Sequence, residues 1–485
     1  MTTTSGSPAL GATAWGTARL LAGTGRGRLD LRGHRAVHGP RHPYDARRLV
    51  DALDAVHLLG RGGAAFPVAA KLRAVPTGRD THVLANGTEG EPASHKDRVL
   101  LRLAPHLVID GALTVARALG TDRVTIAVQD PAAHHSLAAA LRERDDGRPV
   151  RLVRHDHGFV GGEVRALTRA LSGGPALPPG RRVLPTEHGI GGRPTFASNV
   201  ETFAQIALLL SLGTDQYASV GATDEPGTTL LTLVGATRRP GVVEVPTGLP
   251  LAALVGPEPG PVLVGGYHGT WVDGPGDLVV TRPSLRAAEV PLNAGVLARL
   301  PRETCALGEV TMVVRWLAGE SAGQCGPCLL GLPMLADTLA HLAAGAPLEA
   351  DARARAGLLR GRGACGHPDG AASFVSSALD VLGTEIAAHR ARGHCGRPLL
   401  GALPTGPDDD RTGGGGMTGD RHLEIDWTRC DGLGLCARLL PERIGLDEHG
   451  FPVIADPRID AGLLPHARRA AATCPRLALR LEAPR

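Results

Sequence analysis

The residues best equipped for chemistry are eight cysteines, all lying between Cys305 and Cys474. In "GESAGQCGPCLLG", residues 319–331, Cys325 and Cys328 are spaced C-x-x-C, and "GRGACGHPDG" adds Cys365 and His367. Two thiolates so spaced sit on one side of a chain reversal, which is how a metal or cluster is gripped. An iron–sulfur cluster on the thiolates and a zinc ion on the Cys₃His set are both open readings. "CGPC" is also the thioredoxin string, but that chemistry needs a preceding strand, and a helical pattern precedes this one. "RCDGLGLC" and "TCPRLAL" place Cys430, Cys436 and Cys474, the last followed by Pro475. The slot midway between the first two is Leu433, which leaves three thiols for a metal centre.

A second group of residues suits an anionic, planar ligand. "GRGGAAFPVAAK", Gly60 to Lys71, combines a tight turn with bare backbone N–H groups and a lysine on the following helix, an arrangement suited to phosphate. "NGTEGEPASHKDR", Asn86 to Arg98, packs an amide, carboxylates and cations into one loop after a strand, where an α/β fold places ligands. "GRPTFASNVET" sets Asn199 and Thr202 at the start of an apolar helix, where an ordinary helix cap would read the same. The chain is nearly free of lysine and asparagine. Lys71, Lys96, Asn86 and Asn199 are four of the five such residues it has, and all four fall in these motifs.

The elements that must position these groups follow from periodicity. Helical and strand-like stretches alternate from about residue 45 to 225, which predicts an α/β layer. "LLTLVGATRRPGVVEVPTG" predicts two short strands about a turn, the start of a small α+β module over 228–285. Residues 302–400 are mostly helical. "TGPDDDRTGGGGMTGD" marks a linker over 404–420, and 421–485 reads strand, helix, strand, helix, strand. Residues 1–44 show little periodicity and are expected to form a flexible basic arm with one short helix near "ARLLAG".

At 485 residues the chain exceeds one ordinary core and is expected to be modular. A net charge of +4 with 21% charged residues is too mild for a nucleic-acid surface. No apolar run approaches the ~18 residues of a membrane span, and the start carries no signal-peptide pattern. The expectation is a cytoplasmic protein, free or attached to a membrane-bound partner, whose cysteines serve redox or metal chemistry rather than disulfides.

In order along residues 45 to 390, "GRGGAAFP", "NGTEGEP" with "KDR", "FVGGEVRAL", "GGRPTFASNVET", "GATRRPGVVEVPTG" and "ESAGQCGPC" resemble the NADH-binding flavoprotein subunit of respiratory complex I and its relatives in NAD-reducing hydrogenases and formate dehydrogenases. The tail resembles short one-cluster ferredoxins that carry 3Fe–4S on three cysteines. The resemblance implies an FMN- and NADH-binding α/β domain, a soluble-ligand-binding β-grasp module, a helical iron–sulfur domain and a ferredoxin-like α+β domain. It implies that Arg61, Gly62, Gly63, Phe66 and Lys71 seat FMN and nucleotide, with Asn86, Glu89, Glu91, Phe159, Gly162, Glu163, Asn199 and Thr202 around the pocket. Cys325, Cys328 and Cys365 would hold a 4Fe–4S or 3Fe–4S cluster, and Cys430, Cys436 and Cys474 a 3Fe–4S cluster. The implied activity is hydride transfer from NADH to FMN, then single-electron transfer through the clusters to a partner redox protein.

The chain departs from the family pattern at three places. Thr88 replaces an Asp, Val164 a Glu and Ala322 the first cluster cysteine. With Val164 followed by Arg165, NADPH is an alternative coenzyme, although NADH is the expected one. The contrasting expectation is a non-catalytic electron-transfer or assembly subunit that keeps the fold, with zinc or a partial cluster in its helical domain.

Overall fold

The computed structural model describes residues 12–41, 44–147, 150–156, 158–406, 421–459, 463–474, 476 and 478–482. The chain divides into two compact units, Met1–Pro407 and Asp408–Arg485.

In the first unit, four apolar segments form a parallel sheet in the order Val150–Arg154, Val124–Val128, His82–Gly87, Thr195–Asn199. Val124–Val128 is buried throughout, as a central parallel strand covered on both faces must be. The order reverses at His82–Gly87, which has a later strand on either side. That reversal opens a crevice beyond the strand ends, where Gly87 and Asn199 lead into loop and helix. The helices Pro105–Leu119 and Val200–Leu212 cross closely beneath the sheet. A Cβ built on Gly111 would fall 1.9 Å from the Phe203 carbonyl oxygen, so only glycine permits that crossing.

A second, six-stranded sheet is mixed, in the order Ala12–Ala14, Gly241–Pro246, Thr228–Gly235, Val296–Arg299, Pro261–Val264, Thr270–Asp273. It is larger than the module expected over 228–285, because it draws a strand from each flank. The flexible-arm expectation is corrected for residues 12–41. Ala12–Ala14 pairs in parallel with Gly241–Pro246, and the buried Glu244 carboxylate accepts the backbone N–H groups of Arg19, Leu20 and Leu21 at 2.8–3.1 Å. Those N–H groups serve Glu244 instead of a helix, so "ARLLAG" is a turn with Leu20 and Leu21 buried. The arm's helix is Leu31–His38, capped by Asp30 and fixed by His34 on Asp110 at 2.9 Å.

Helices Ala306–Gly319, Leu332–Ala343, Glu349–Leu359, His367–Val381 and Gly383–Arg392 share one core with Trp271 of the second sheet and with Tyr267 in the turn between Pro261–Val264 and Thr270–Asp273. Among the described residues no single helix is long and apolar enough to cross a membrane.

The second unit has an antiparallel sheet in the order Arg458–Ile459, Arg421–Ile425, Leu479–Glu482, with helices Leu435–Leu439 and Leu464–Thr473. A hairpin of Ile444–Leu446 and Pro452–Ile454 adds to the strand–helix alternation read from sequence. Of the expected 404–420 linker, residues 407–420 lie outside the described residues.

Candidate functional site

The crevice at the carboxyl edge of the parallel sheet is a cavity of about 560 Å³. It falls within the roughly 300–1,000 Å³ usual for small-molecule and cofactor sites. Several segments converge on it, among them Gly62 and Gly63, Thr88 to Glu91, Phe159 with Gly162 and Glu163, Gly265 with His268, Asn293 with Ala294, and Cys365 to His367.

The glycine-rich turn closes by a bond from the Gly60 N–H to the Phe66 carbonyl at 3.0 Å. Gly62 and Gly63 have ordinary φ angles, and a Cβ on either would come no closer than 3.6 Å to protein atoms. Neither backbone geometry nor protein packing requires glycine there. What glycine supplies is bare backbone facing the cavity. Arg61 is turned away: its guanidinium is fully buried against Glu225 and the Thr228 carbonyl, and its N–H donates to Thr202 Oγ1 at 2.9 Å. Burial opposes that charge, but Glu225, Tyr217 and Glu201 more than offset it and raise the guanidinium pKa.

The floor is a buried polar network. Lys96, only 2% exposed, donates from Nζ to Asp97 at 2.7 Å, Glu201 at 3.0 Å and Asn199 at 3.3 Å. Asn199 caps the helix Val200–Leu212 and donates to Asp97 at 2.6 Å. Glu89 accepts from Ser94, the N–H groups of Asp97 and Arg98, and the Arg98 guanidinium. Burial pushes its pKa up, yet Arg98, Lys96 and these hydrogen bonds bring it below the usual range. Glu91 has only the Tyr267 N–H, at 3.0 Å. Burial, with a smaller push from Glu89, raises its carboxyl to about 8, so Glu91 is neutral at neutral pH.

Nine residues implied by the family resemblance come together around the cavity: Arg61, Gly62, Gly63, Glu89, Glu91, Phe159, Gly162, Glu163 and Asn199. Four do not line it. Phe66 is 50% exposed, and Lys71 donates to the Ala197 carbonyl at 3.1 Å. Asn86 braces the next loop, donating to the Gly162 carbonyl at 2.9 Å and accepting from Thr88 Oγ1 at 2.6 Å. Thr202 is buried behind the turn. Glu163 caps the helix Val164–Leu171, and its second oxygen accepts from Arg165 Nε at 2.8 Å. Lys96 and Asp97 also line the cavity. Neither is among the site residues expected from the sequence, although the scarcity of lysine pointed at Lys96.

The three thiols gather beside this cavity. Burial first, then the neighbouring Cys325 and Cys365, raises the Cys328 thiol to about 12, and Cys365 itself lines the cavity wall. A zinc ion on Cys325, Cys328, Cys365 and His367 does not fit. The His367 Nε2–H donates to the Leu317 carbonyl at 2.9 Å, and Nδ1 accepts from His268 at 3.1 Å, which occupies both ring nitrogens. Nor do the three thiols belong to any group of His, Cys and carboxylate ligand atoms lying within 4.8 Å of one another among the described residues. Four-coordinate zinc would hold its thiolates about 3.8 Å apart. The looser set suits a multi-iron cluster rather than a single metal ion.

In the second unit Cys430 lies in a loop, Cys436 in the first turn of Leu435–Leu439 and Cys474 just past Leu464–Thr473. Burial, with Cys430 and Cys474 nearby, raises the Cys436 thiol. Leu433, in the slot of a fourth cysteine, is 59% exposed.

Fold and site together define a flavin and iron–sulfur oxidoreductase component. The sequence profile of the Nuo51 FMN-binding domain matches residues 53–208, that of the NADH-ubiquinone oxidoreductase-F iron-sulfur binding region 309–389, and that of a 4Fe-4S single cluster domain 423–481. The NADH-quinone oxidoreductase F subunit of Streptomyces coelicolor is 30% identical over 68% of this chain and 80% of its own. The NADH-quinone oxidoreductase F 2 subunit of Rhizobium meliloti is 28% identical over 75% of this chain and 93% of its own. An NAD+-reducing [NiFe]-hydrogenase is similar at 27% identity, with a TM-score of 0.63 in its H2-reduced state (71% of this chain, 63% of that one) and 0.67 in its air-oxidized state (78% and 68%). The chain therefore spans about two thirds of the hydrogenase chain it matches. It belongs to the family of NADH-quinone oxidoreductase F subunits.

Proposed function

We propose that this chain oxidises NADH in the cavity at the sheet edge and passes the electrons to a partner redox protein. The observation that carries the reading is the adjacency of that cavity to the thiol cluster, with Cys365 and His367 in its wall. When bound, FMN accepts a hydride from the nicotinamide and releases electrons one at a time to iron–sulfur clusters.

The residues present fit that group. Gly62 and Gly63 offer backbone to its phosphate and ring edge, while Glu89, Lys96, Asp97 and Asn199 form a rigid polar floor whose charges are already paired. Neutral Glu91 places no negative charge against a flavin that gains electrons. Phe159, packed edge-on to His268 with centroids 4.9 Å apart, presents an apolar wall for the nucleotide. Phe66 and Lys71 act from the rim and from behind the turn, and Asn86 and Thr202 brace the loops. Arg165 is already paired with Glu163, which favours NADH over a coenzyme carrying a 2′-phosphate.

Cys325, Cys328 and Cys365 hold the first cluster, and Cys430, Cys436 and Cys474 hold a 3Fe–4S cluster because Leu433 supplies no thiolate. The mixed sheet around 228–299 serves as a β-grasp spacer. The domains run 45–225, 228–299 with the strand Ala12–Ala14 added, 302–400 and 421–485, with the 404–420 linker between the last two. Eight cysteines and no disulfide among the described residues suit a reducing, cytoplasmic setting.

The test is the FMN, iron and acid-labile sulfide content of protein purified without oxygen. About one FMN per chain with iron and sulfide supports the reading; iron without flavin, even after FMN is supplied, favours the non-catalytic carrier.

A further inference from the structure

We propose that Cys305, Glu385, His389 and Cys395 form a closed, structural zinc site, separate from both clusters. Their ligand atoms all lie within 4.8 Å of one another, the only such group among the described residues, and three of the four residues are buried.

The three edges among Cys305, Glu385 and His389 have the right lengths, and the Cys395 thiol lies within 4.8 Å of each of them. Cys305 Sγ is 3.3 Å from His389 Nε2 and 3.4 Å from Glu385 Oε1, and His389 Nε2 is 3.8 Å from Glu385 Oε1. A tetrahedron with Zn–S of about 2.3 Å and Zn–N or Zn–O of about 2.0–2.1 Å has edges of about 3.3–3.8 Å. An iron–sulfur cluster needs more room than that. Two soft thiolates with an imidazole and a carboxylate, four protein ligands in all, select zinc and leave no position for a substrate.

The surrounding groups hold the ligands in ligating form. The His389 Nδ1–H donates to the Ala343 carbonyl at 2.6 Å, which leaves the Nε2 lone pair facing Cys305. A ring so tethered by its other nitrogen is the usual arrangement of a metal-bound histidine. The far oxygen of Glu385 is held by Arg397, and Oε1 also accepts the Leu307 N–H at 2.9 Å. Glu385 and His389 stand four apart on the helix Gly383–Arg392 and so share a face. On binding, both thiols give their protons to solvent and coordinate as thiolates.

The site joins three places in the chain. Cys305 caps the helix Ala306–Gly319, Glu385 and His389 belong to the last helix of the unit, and Cys395 begins the segment that runs on to residue 406. That segment is laid against the first helix by the Cys305 N–H to Pro398 carbonyl bond at 2.8 Å and by Glu309, which accepts from Gly401 and Leu403. Zinc would fasten its start.

The test is zinc content and the zinc X-ray absorption edge of the full chain, expressed with added zinc and purified without oxygen. The expected result is about one zinc per chain, with two sulfurs near 2.3 Å and two N/O atoms near 2.0–2.1 Å. In the C305S/C395S variant zinc falls at least tenfold, while iron, sulfide and FMN stay within a fifth of wild type. Zinc below a tenth of an equivalent in wild type, a Cys305–Cys395 disulfide in its place, or zinc kept by the double variant would each overturn the site. The absorption spectrum needs no variant, so a misfolded C305S/C395S protein leaves the proposal testable.

Discussion

Lys96 and Glu91 sit within a few residues of each other, and burial disfavours the charge of both, yet only Lys96 keeps it. Lys96 is surrounded by Asp97, Glu201 and Asn199, so its charge is compensated and its pKa is raised despite burial. Lys96→Met would strand those carboxylates, and unfolding in urea should show a loss of about 3–5 kcal/mol with less FMN retained. A loss below about 1 kcal/mol would mean that the network is not what holds the floor. Glu91 has no such partner. Its carboxyl titrates near 8 in the fold, against an ordinary value of 4.5. The folded state therefore binds a proton that the unfolded chain releases, and this contribution, complete below pH 4.5, is lost as pH rises through 8. Between pH 5 and 9 the stability of wild type should fall relative to Glu91→Gln, by a few kcal/mol at most; parallel pH profiles would contradict it. The sequence showed a dense polar loop here. It could not show which carboxylate would be paired, because Tyr267 and Asn199 arrive from distant parts of the chain.

Among the elements, the parallel sheet and the helical domain were legible because their apolar periods are long and their glycines and prolines fall at the ends. The N-terminal arm was not. Its strand Ala12–Ala14 has three residues, too few for a period, and its turn is dictated by Glu244, more than 220 positions away. The zinc candidate was hidden for the same reason, since Cys305 and Cys395 meet only when two helices pack, although the Glu385/His389 spacing was a local hint. The helix crossing at Gly111 can be tested directly. Gly111→Ala places a methyl carbon on the Phe203 carbonyl, and the helices Pro105–Leu119 and Val200–Leu212 must part. A thermal melt should show a loss of about 1–3 kcal/mol or more; an unchanged melting temperature would refute the close crossing.

At the scale of the whole molecule, the FMN-binding match falls in the first unit and the 4Fe-4S single cluster match in the second. Cys430→Ser with Cys436→Ser should remove the iron of one cluster and leave FMN content unchanged, as measured by iron and flavin assays on the same sample. Flavin lost together with that iron would mean that the second unit is needed to build the first. The family's order of motifs was readable because each is local. The replacements Thr88, Val164 and Ala322 raised the question whether nucleotide oxidation survives, and the geometry answers in part: Thr88 still donates to Asn86, and the cavity keeps its floor. Oxidation of NADH at this cavity is tested most directly by an anaerobic titration of the purified full chain with NADH, following the flavin and iron–sulfur absorption together. The flavin band should bleach at stoichiometric NADH, and the iron–sulfur absorption should fall with it. Bound flavin that stays oxidised in excess NADH would contradict electron entry at this site.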